Sequence, residues 1–276
     1  MTPVFTERDG DAPLLISIPH GGTELPRDIA SGLTDEALTL SDTDWHVDRL
    51  YDFAQALGAS VIAARLSRYV IDLNRPCDGS SLYPGQATTG LVPATTFDGV
   101  TLHRPGRMPD AAEIARRVDT YWRPYHAALG ERVEAIRRRH GATLLWEAHS
   151  IRSRVPRLFE GRLPDLNLGT NGGASADAGL ATRVAAAGLA SAFSCVLDGR
   201  FKGGHITRAY GNPGRGIHAI QLELAQANYM DEAPPFTYRP ERAERLRVAV
   251  RAMLEAALDW LAGARAQVGS SPSSVR

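Results

Sequence analysis

The sequence predicts a single α/β domain built on a mixed, largely parallel sheet flanked by helices. Three observations lead there. Short apolar runs of strand length alternate with amphipathic helical patterns along most of the chain. Several runs, such as TLLWEA at 143–148, are almost continuously apolar, as strands covered on both faces are. The 276 residues, 43% hydrophobic and 22% charged, can bury a sizeable core without staples.

In chain order, PLLISIP at 13–19 reads as the first strand. Residues 44–57 place Val47, Leu50, Tyr51, Ala54 and Leu57 on one stripe, with Gly58 as a stop, and predict a helix. The runs at 60–65 (SVIAAR) and 69–73 (YVIDL) predict an antiparallel hairpin turning near Ser67 and Arg68. Residues 76–108, rich in Gly, Pro and Thr, are long for a plain loop and point to a lid or to short hidden elements. A long helix is predicted over 110–140, with a stripe of Ile114, Val118, Tyr121, Tyr125, Leu129, Val133 and Ile136; Pro124 inside it should kink or split it. Strands at 143–148, 193–197 and 218–224 and helices at 175–189 and 239–262 complete the pattern. The domain is expected to span 1–263, with a disordered tail over 264–276 ending in GSSPSSVR.

The 31 basic and 31 acidic residues cancel, which argues against nucleic acid or an anionic membrane surface as partner. No apolar stretch approaches the ~18 residues of a membrane span, and MTPVFTERDGDAP lacks the pattern of a secretory leader. Two cysteines, Cys77 and Cys195, without a CxxC pattern, fit a reduced, cytoplasmic setting. A homo-oligomer is left open.

Sheets of this kind bind ligands beyond the carboxyl ends of their strands. The polar residues expected there are His20, Asp72, Asn74, Arg75, Glu147, His149, Ser150 and Glu223. His20, in SIPHGG, and His149, in LLWEAHS, each end an apolar strand and supply two ligands of a metal site that needs three. The third is Glu24 or Asp44; spacing does not choose, and Asp44 also suits the N-cap of the helix that follows. EAHSI is not the elbow that exposes a nucleophilic serine, and PHGGTE lacks the spacing and lysine of a phosphate loop. RFKGGHITRAYGNPGRG at 200–216 could hold a carboxylate with its arginines or be a solvated basic loop. Glu223 could also be a buried ion-pair partner, and His46 and Asp48 either orient a ligand or lie on a helix surface. His103, His126, His140 and His218 read as structural or exposed.

Seven segments in order, SIPHGG, SDTDWHVDRLYD, SRYVIDLNRP, LLWEAHS, PDLNLGT, GGHITRAYG and AIQLELAQANYM, resemble the N-formylglutamate amidohydrolase family over roughly residues 5–262. SRYVIDLNRP together with GGHITRAYG is the most specific part. The resemblance implies a fold similar to zinc carboxypeptidases and aspartoacylase-like amidohydrolases, and one divalent metal, zinc. It maps the ligands onto His20, Asp44 and His149. Glu24 stays in reserve, since the carboxypeptidase glutamate would fall at position 23, which is Thr23 here. It further implies Glu223 as general acid/base, Asn74 and Arg75 as a clamp for a substrate carboxylate, and substrate contacts from Arg208 and Tyr210. The implied reaction is hydrolysis of the dicarboxylate N-formyl-L-glutamate to formate and L-glutamate in histidine degradation. Alternatives are a related amidohydrolase for another N-acyl amino acid, a carboxypeptidase acting on peptides, and a catalytically silent metal- or carboxylate-binding protein.

Overall fold

A computed structural model describes residues 3–82, 85 and 88–269, with side chains to residue 264. Its strands are β1 (Phe5–Arg8), β2 (Leu14–Ile18), β3 (Ser60–Ala64), β4 (Thr143–Ile151), β5 (Leu166–Gly169), β6 (Cys195–Leu197) and β7 (Ile217–Ala225). Its α-helices are α1 (Arg27–Ala30), α2 (Val47–Leu50), α3 (Ala111–Arg117), α4 (Arg123–His140), α5 (Ala178–Leu189), α6 (His205–Tyr210) and α7 (Pro240–Gly269). The strands form one sheet in the order β1-β3-β2-β4-β7-β5-β6. Pairing is parallel except for β1 with β3 and β5 with β7. The expected mixed, largely parallel α/β sheet is therefore what the chain adopts.

The two central strands, β4 and β7, pair from Thr143 opposite Ile217 to Ile151 opposite Ala225, and every residue of both is buried. Alternation along a strand sends successive side chains to opposite faces. On one face Ile16, Trp146, Ala148, Ile220 and Leu222 pack against Leu180 and Val184 of α5 and Leu246, Val250 and Met253 of α7. On the other, Leu15, Ile62, Leu145 and Ala219 pack against Tyr125, Leu129 and Val133 of α4. Burying each such aliphatic side chain contributes roughly 1.5–3 kcal/mol.

Several expectations need correction. Residues 69–73 form no strand. Asp72 instead accepts from the Asn74 amide and from Arg68, closing tight turns, while Tyr69, Val70, Ile71 and Leu73 are buried by wrapping. The antiparallel partner of β3 is β1, which precedes it. The predicted helix at 44–57 starts only at Val47, because His46 sits at φ 63°, and consists of α2 plus a 3-10 turn at Asp52–Leu57. The helix predicted over 110–140 continues through Pro124 by a π turn at Val118–Trp122, which shifts the hydrogen-bond register where the proline lacks an N–H. Strand β4 runs to Ile151, so His149 lies inside it and not beyond its end. Helix α7 runs to Gly269, past the expected start of the tail at 264; residues 270–276 lie outside the described residues. Among the described residues no helix is long and apolar enough to cross a membrane.

Candidate metal and substrate site

The face of the sheet that carries α4 changes character midway along the strands. On β4 and β7 the positions after Leu145 and Ala219 are Glu147, His149, Gln221 and Glu223, all buried. His20 joins them two residues past β2. It can do so because the chain turns at once toward β3: a Cβ on Gly22 would lie 2.4 Å from the Leu66 carbonyl oxygen, so only glycine allows the passage. Asp44 is drawn in by its own backbone, whose N–H donates to the His20 carbonyl at 3.1 Å.

His20, Asp44 and His149 form a buried trio whose ligand atoms all lie within 4.8 Å of one another. Asp44 Oδ2 is 3.0 Å from His149 Nδ1 and 3.8 Å from His20 Nδ1. The far nitrogens are held by carboxylates: His20 Nε2 donates to Asp72 Oδ1 at 2.7 Å, and His149 Nε2 to Glu147 Oε1 at 2.6 Å. A carboxylate only accepts, so these bonds place a proton on each Nε2 and turn each Nδ1 toward Asp44. Burial, reinforced by Arg68, pushes His20 below the ordinary imidazole range, so its ring is neutral, the form that ligates. Burial works against a charged His149 as well, but Glu147 and Asp44 outweigh it and raise its pKa well above the usual value. The centre of the trio favours positive charge. The donor set of two imidazole nitrogens and one carboxylate oxygen, each imidazole backed by a carboxylate, fits a divalent ion such as zinc.

Glu147 also accepts from the N–H and hydroxyl of Thr207, and Asn74 Oδ1 from the Ile206 N–H at 2.9 Å. The first turn of α6, whose donors have no partners within the helix, is thereby capped by site residues. Glu223 stands opposite His149 in the β4–β7 ladder and lines the cavity. Burial, with the neighbouring Asp44 and Glu147 charges and against His149, raises its pKa to about 8. Arg68 is buried, bridged to Asp72 at 2.6 Å and 3.9 Å from Asp44.

Beside the trio lies a cleft with about 650 Å³ of empty space, the open solvent at its mouth included. His20, Asp44, Asn74, Arg75, His149 and Glu223 all line it. Glu24 does not; it is bridged to Arg65 at 2.6 Å, which leaves Asp44 as the carboxylate of the trio. Asp44 is not an N-cap either, since its Oδ2 accepts from the Ser150 N–H at 3.2 Å. Two expected substrate contacts lie elsewhere. Tyr210 is turned away, its hydroxyl donating to the His126 carbonyl at 3.0 Å, and Arg208 Nε donates to the Gly203 carbonyl. Neither lines the cavity; from the same basic segment it is Arg200 that does. His46 binds the Phe236 carbonyl at 2.7 Å and Asp48 is exposed, so neither orients a ligand. Thr88, Thr89 and Phe97 of the irregular 76–108 segment form part of the cavity wall. Arg68 and the carboxylates Asp72 and Glu147 received no site role from sequence, although Asp72 and Glu147 stood among the strand-end polar residues. The signal was their placement, one beside Asn74 and Arg75 and the other two residues before His149 on the same strand face.

A buried His–Asp–His trio beside a carboxyl group that has no hydrogen-bond partner among the described residues, at the carboxyl edge of a mixed sheet, is the layout of a hydrolytic α/β enzyme. Known proteins agree. The family model for N-formylglutamate amidohydrolase matches residues 12–230. The chain is 54% identical over 261 residues to the N-formylglutamate deformylase of Pseudomonas aeruginosa, covering 94% of this chain and 98% of that one. It is 52% identical to the Pseudomonas putida deformylase, with 94% and 97% covered. The crystal structure of N-formylglutamate amidohydrolase from Ralstonia eutropha JMP134 superposes with a TM-score of 0.80 at 26% identity, covering 95% of this chain and 99% of that one. An Agrobacterium tumefaciens gene product shares the fold, with a TM-score of 0.70 at 19% identity and coverage of 92% and 94%. This chain belongs to the N-formylglutamate amidohydrolase family.

Proposed function

We propose that the protein hydrolyses N-formyl-L-glutamate to formate and L-glutamate with one divalent ion, zinc, held by His20, Asp44 and His149. The observation that carries this reading is the trio itself, set against Glu223 in a cavity that also presents arginines to an anionic substrate. An ion bound there supplies Lewis acidity, which polarises a carbonyl and acidifies water. Asp72 and Glu147 hold the two imidazoles in the ligating tautomer. Water adds to the formyl carbon; Glu223, whose ionised form a cation in the trio would favour, takes its proton and delivers it to the amide nitrogen as the C–N bond breaks. Arg68, fixed by Asp72 beside the trio, offers positive charge to the oxyanion that develops. Arg75, following Asn74, whose amide nitrogen is 3.1 Å from His149 Nε2, receives the carboxylate next to the scissile amide. The reading extends to a cytosolic enzyme of histidine degradation, supported by family membership and by two free cysteines.

The test is a formate-release assay on N-formyl-L-glutamate, with N-acetyl-L-glutamate as control. Formate should appear only from the formyl substrate, stop on chelation and return with zinc. A rate untouched by stringent chelation would remove the metal, and no formate under any metal condition would remove the substrate.

A further inference from the structure

Three arginines line the cavity, and they differ in what occupies their charge. Arg68 is bridged to Asp72 beside the trio and is assigned to the oxyanion. Arg75 and Arg200 are half-buried, and among the described residues neither is in a salt bridge with a carboxylate. Arg75 is fixed by the Thr89 carbonyl, accepting from Nε at 2.9 Å, and by the Thr89 hydroxyl, 3.2 Å from Nη2. Arg200 is fixed by the Leu158 carbonyl, which accepts from Nε at 2.9 Å, and its guanidinium lies 5.4 Å from the centre of the Phe201 ring. In Arg200 the stem is oriented by Nε and, among the described residues, the head makes no further hydrogen bond; Arg75 also gives Nη2 to Thr89 and Nη1 to the Asn74 carbonyl at 3.5 Å and faces the cavity with its remaining donors. An unpaired arginine on an exposed loop would carry no meaning. One that is half-buried, held at Nε, seated against an aromatic ring and lining the cavity of a metal-ligand trio is a prepared anion site.

A buried carboxylate is costly unless paired, so a dicarboxylate entering this cavity needs two uncommitted cations. Arg75 adjoins the trio through Asn74. Arg200 comes from a separate segment, the loop between β6 and α6, with Leu158 and Phe201 beside it. We propose that Arg200 is the specificity-determining residue that pairs with the side-chain carboxylate of the substrate. This rests on the N-formylglutamate reading and adds to it the group that separates glutamate from glutamine. The neighbouring apolar surface of Leu158 and Phe201 suits the methylenes that lead to that carboxylate.

The experiment compares kcat/KM for N-formyl-L-glutamate and N-formyl-L-glutamine in the wild type, Arg200→Gln and Arg200→Lys. In Arg200→Gln the glutamate-to-glutamine ratio should fall roughly 10–100-fold, the size of one charge-assisted pairing, with activity on the glutamine substrate retained. Arg200→Lys should keep part of the preference. Equal losses on both substrates, or a ratio that does not move in either variant, overturns the assignment. A parallel measurement does not depend on turnover. Glutarate should raise the melting temperature of the wild type more than butyrate does, and in Arg200→Gln the two shifts should become equal. An undiminished glutarate advantage in Arg200→Gln also overturns it. A wild type that releases no formate from N-formyl-L-glutamate counts against the function above, while the glutarate comparison still decides Arg200.

Discussion

One face of the sheet can be read as two regions. Toward the amino ends of the strands, Leu15, Leu145 and Ala219 sit under α4 and form ordinary core. Toward the carboxyl ends, on the same strands and at the same two-residue spacing, stand Glu147, His149, Gln221 and Glu223. The boundary is visible at Ser17, whose hydroxyl bonds Tyr125 of α4 at 2.9 Å. The difference teaches how a fully buried strand can carry charge. Glu147 is matched by His149 and Thr207, and Gln221 Oε1 accepts from the Gly204 N–H at 2.7 Å. Paired polar groups are tolerated where unpaired ones are expensive. Glu223 is the exception: among the described residues its carboxyl group has no hydrogen-bond partner, and it lines the cavity beside His149 and Gln221.

The sharpest way to probe the contrast is to remove the reactive group and keep its shape. Glu223→Gln should lower kcat by about 10²–10⁴-fold while elemental analysis finds the metal retained. A near-normal kcat would return Glu223 to the class of inert buried carboxylates. The next effect falls on the other region: Leu145→Ala should cost about 2–5 kcal/mol in denaturant unfolding and leave kcat at 25 °C intact. A loss of metal content in parallel would mean the two halves of the face are not separable. The smallest effect tests the support of the trio. Asp72→Asn should weaken metal binding about 10–100-fold in a chelator competition, because the His20 ring loses its carboxylate. Undiminished affinity would leave Asp72 serving only Arg68.

The central strands and the two histidines of the trio were legible because they combine two signals. Continuous apolar runs mark β2, β4 and β7; a lone histidine at or just past the end of such a run is usually a plain loop residue, and it was the pair, His20 and His149, that pointed to a metal. What was illegible was settled by distant partners. FTER at β1 has no apolar alternation and is a strand only because β3 has a free edge. YVIDL has strand composition, yet the Asp72 carboxylate answers to Asn74, Arg68 and His20 and turns the chain instead. The same limit explains the arginines: Arg208 and Arg200 lie in one basic segment, and only the fold decides which one reaches the cavity. Glu24 and Asp44 were equal candidates by spacing until the fold paired Glu24 with Arg65 and set Asp44 beside His20 and His149.

Gly204 lies against the Asn74 amide so closely that a methyl there would stand 2.2 Å from Nδ2. The loop bearing Arg200 and the turn bearing Arg75 thus meet at a hard stop, like the jaws of a caliper closed on a gauge block. Widening the gap between the two guanidinium groups means shifting α6, whose first turn is capped by Asn74 and Glu147. If Arg75 and Arg200 receive the two carboxylates as proposed, the length of diacid accepted would be set at the same joint that steadies the histidines.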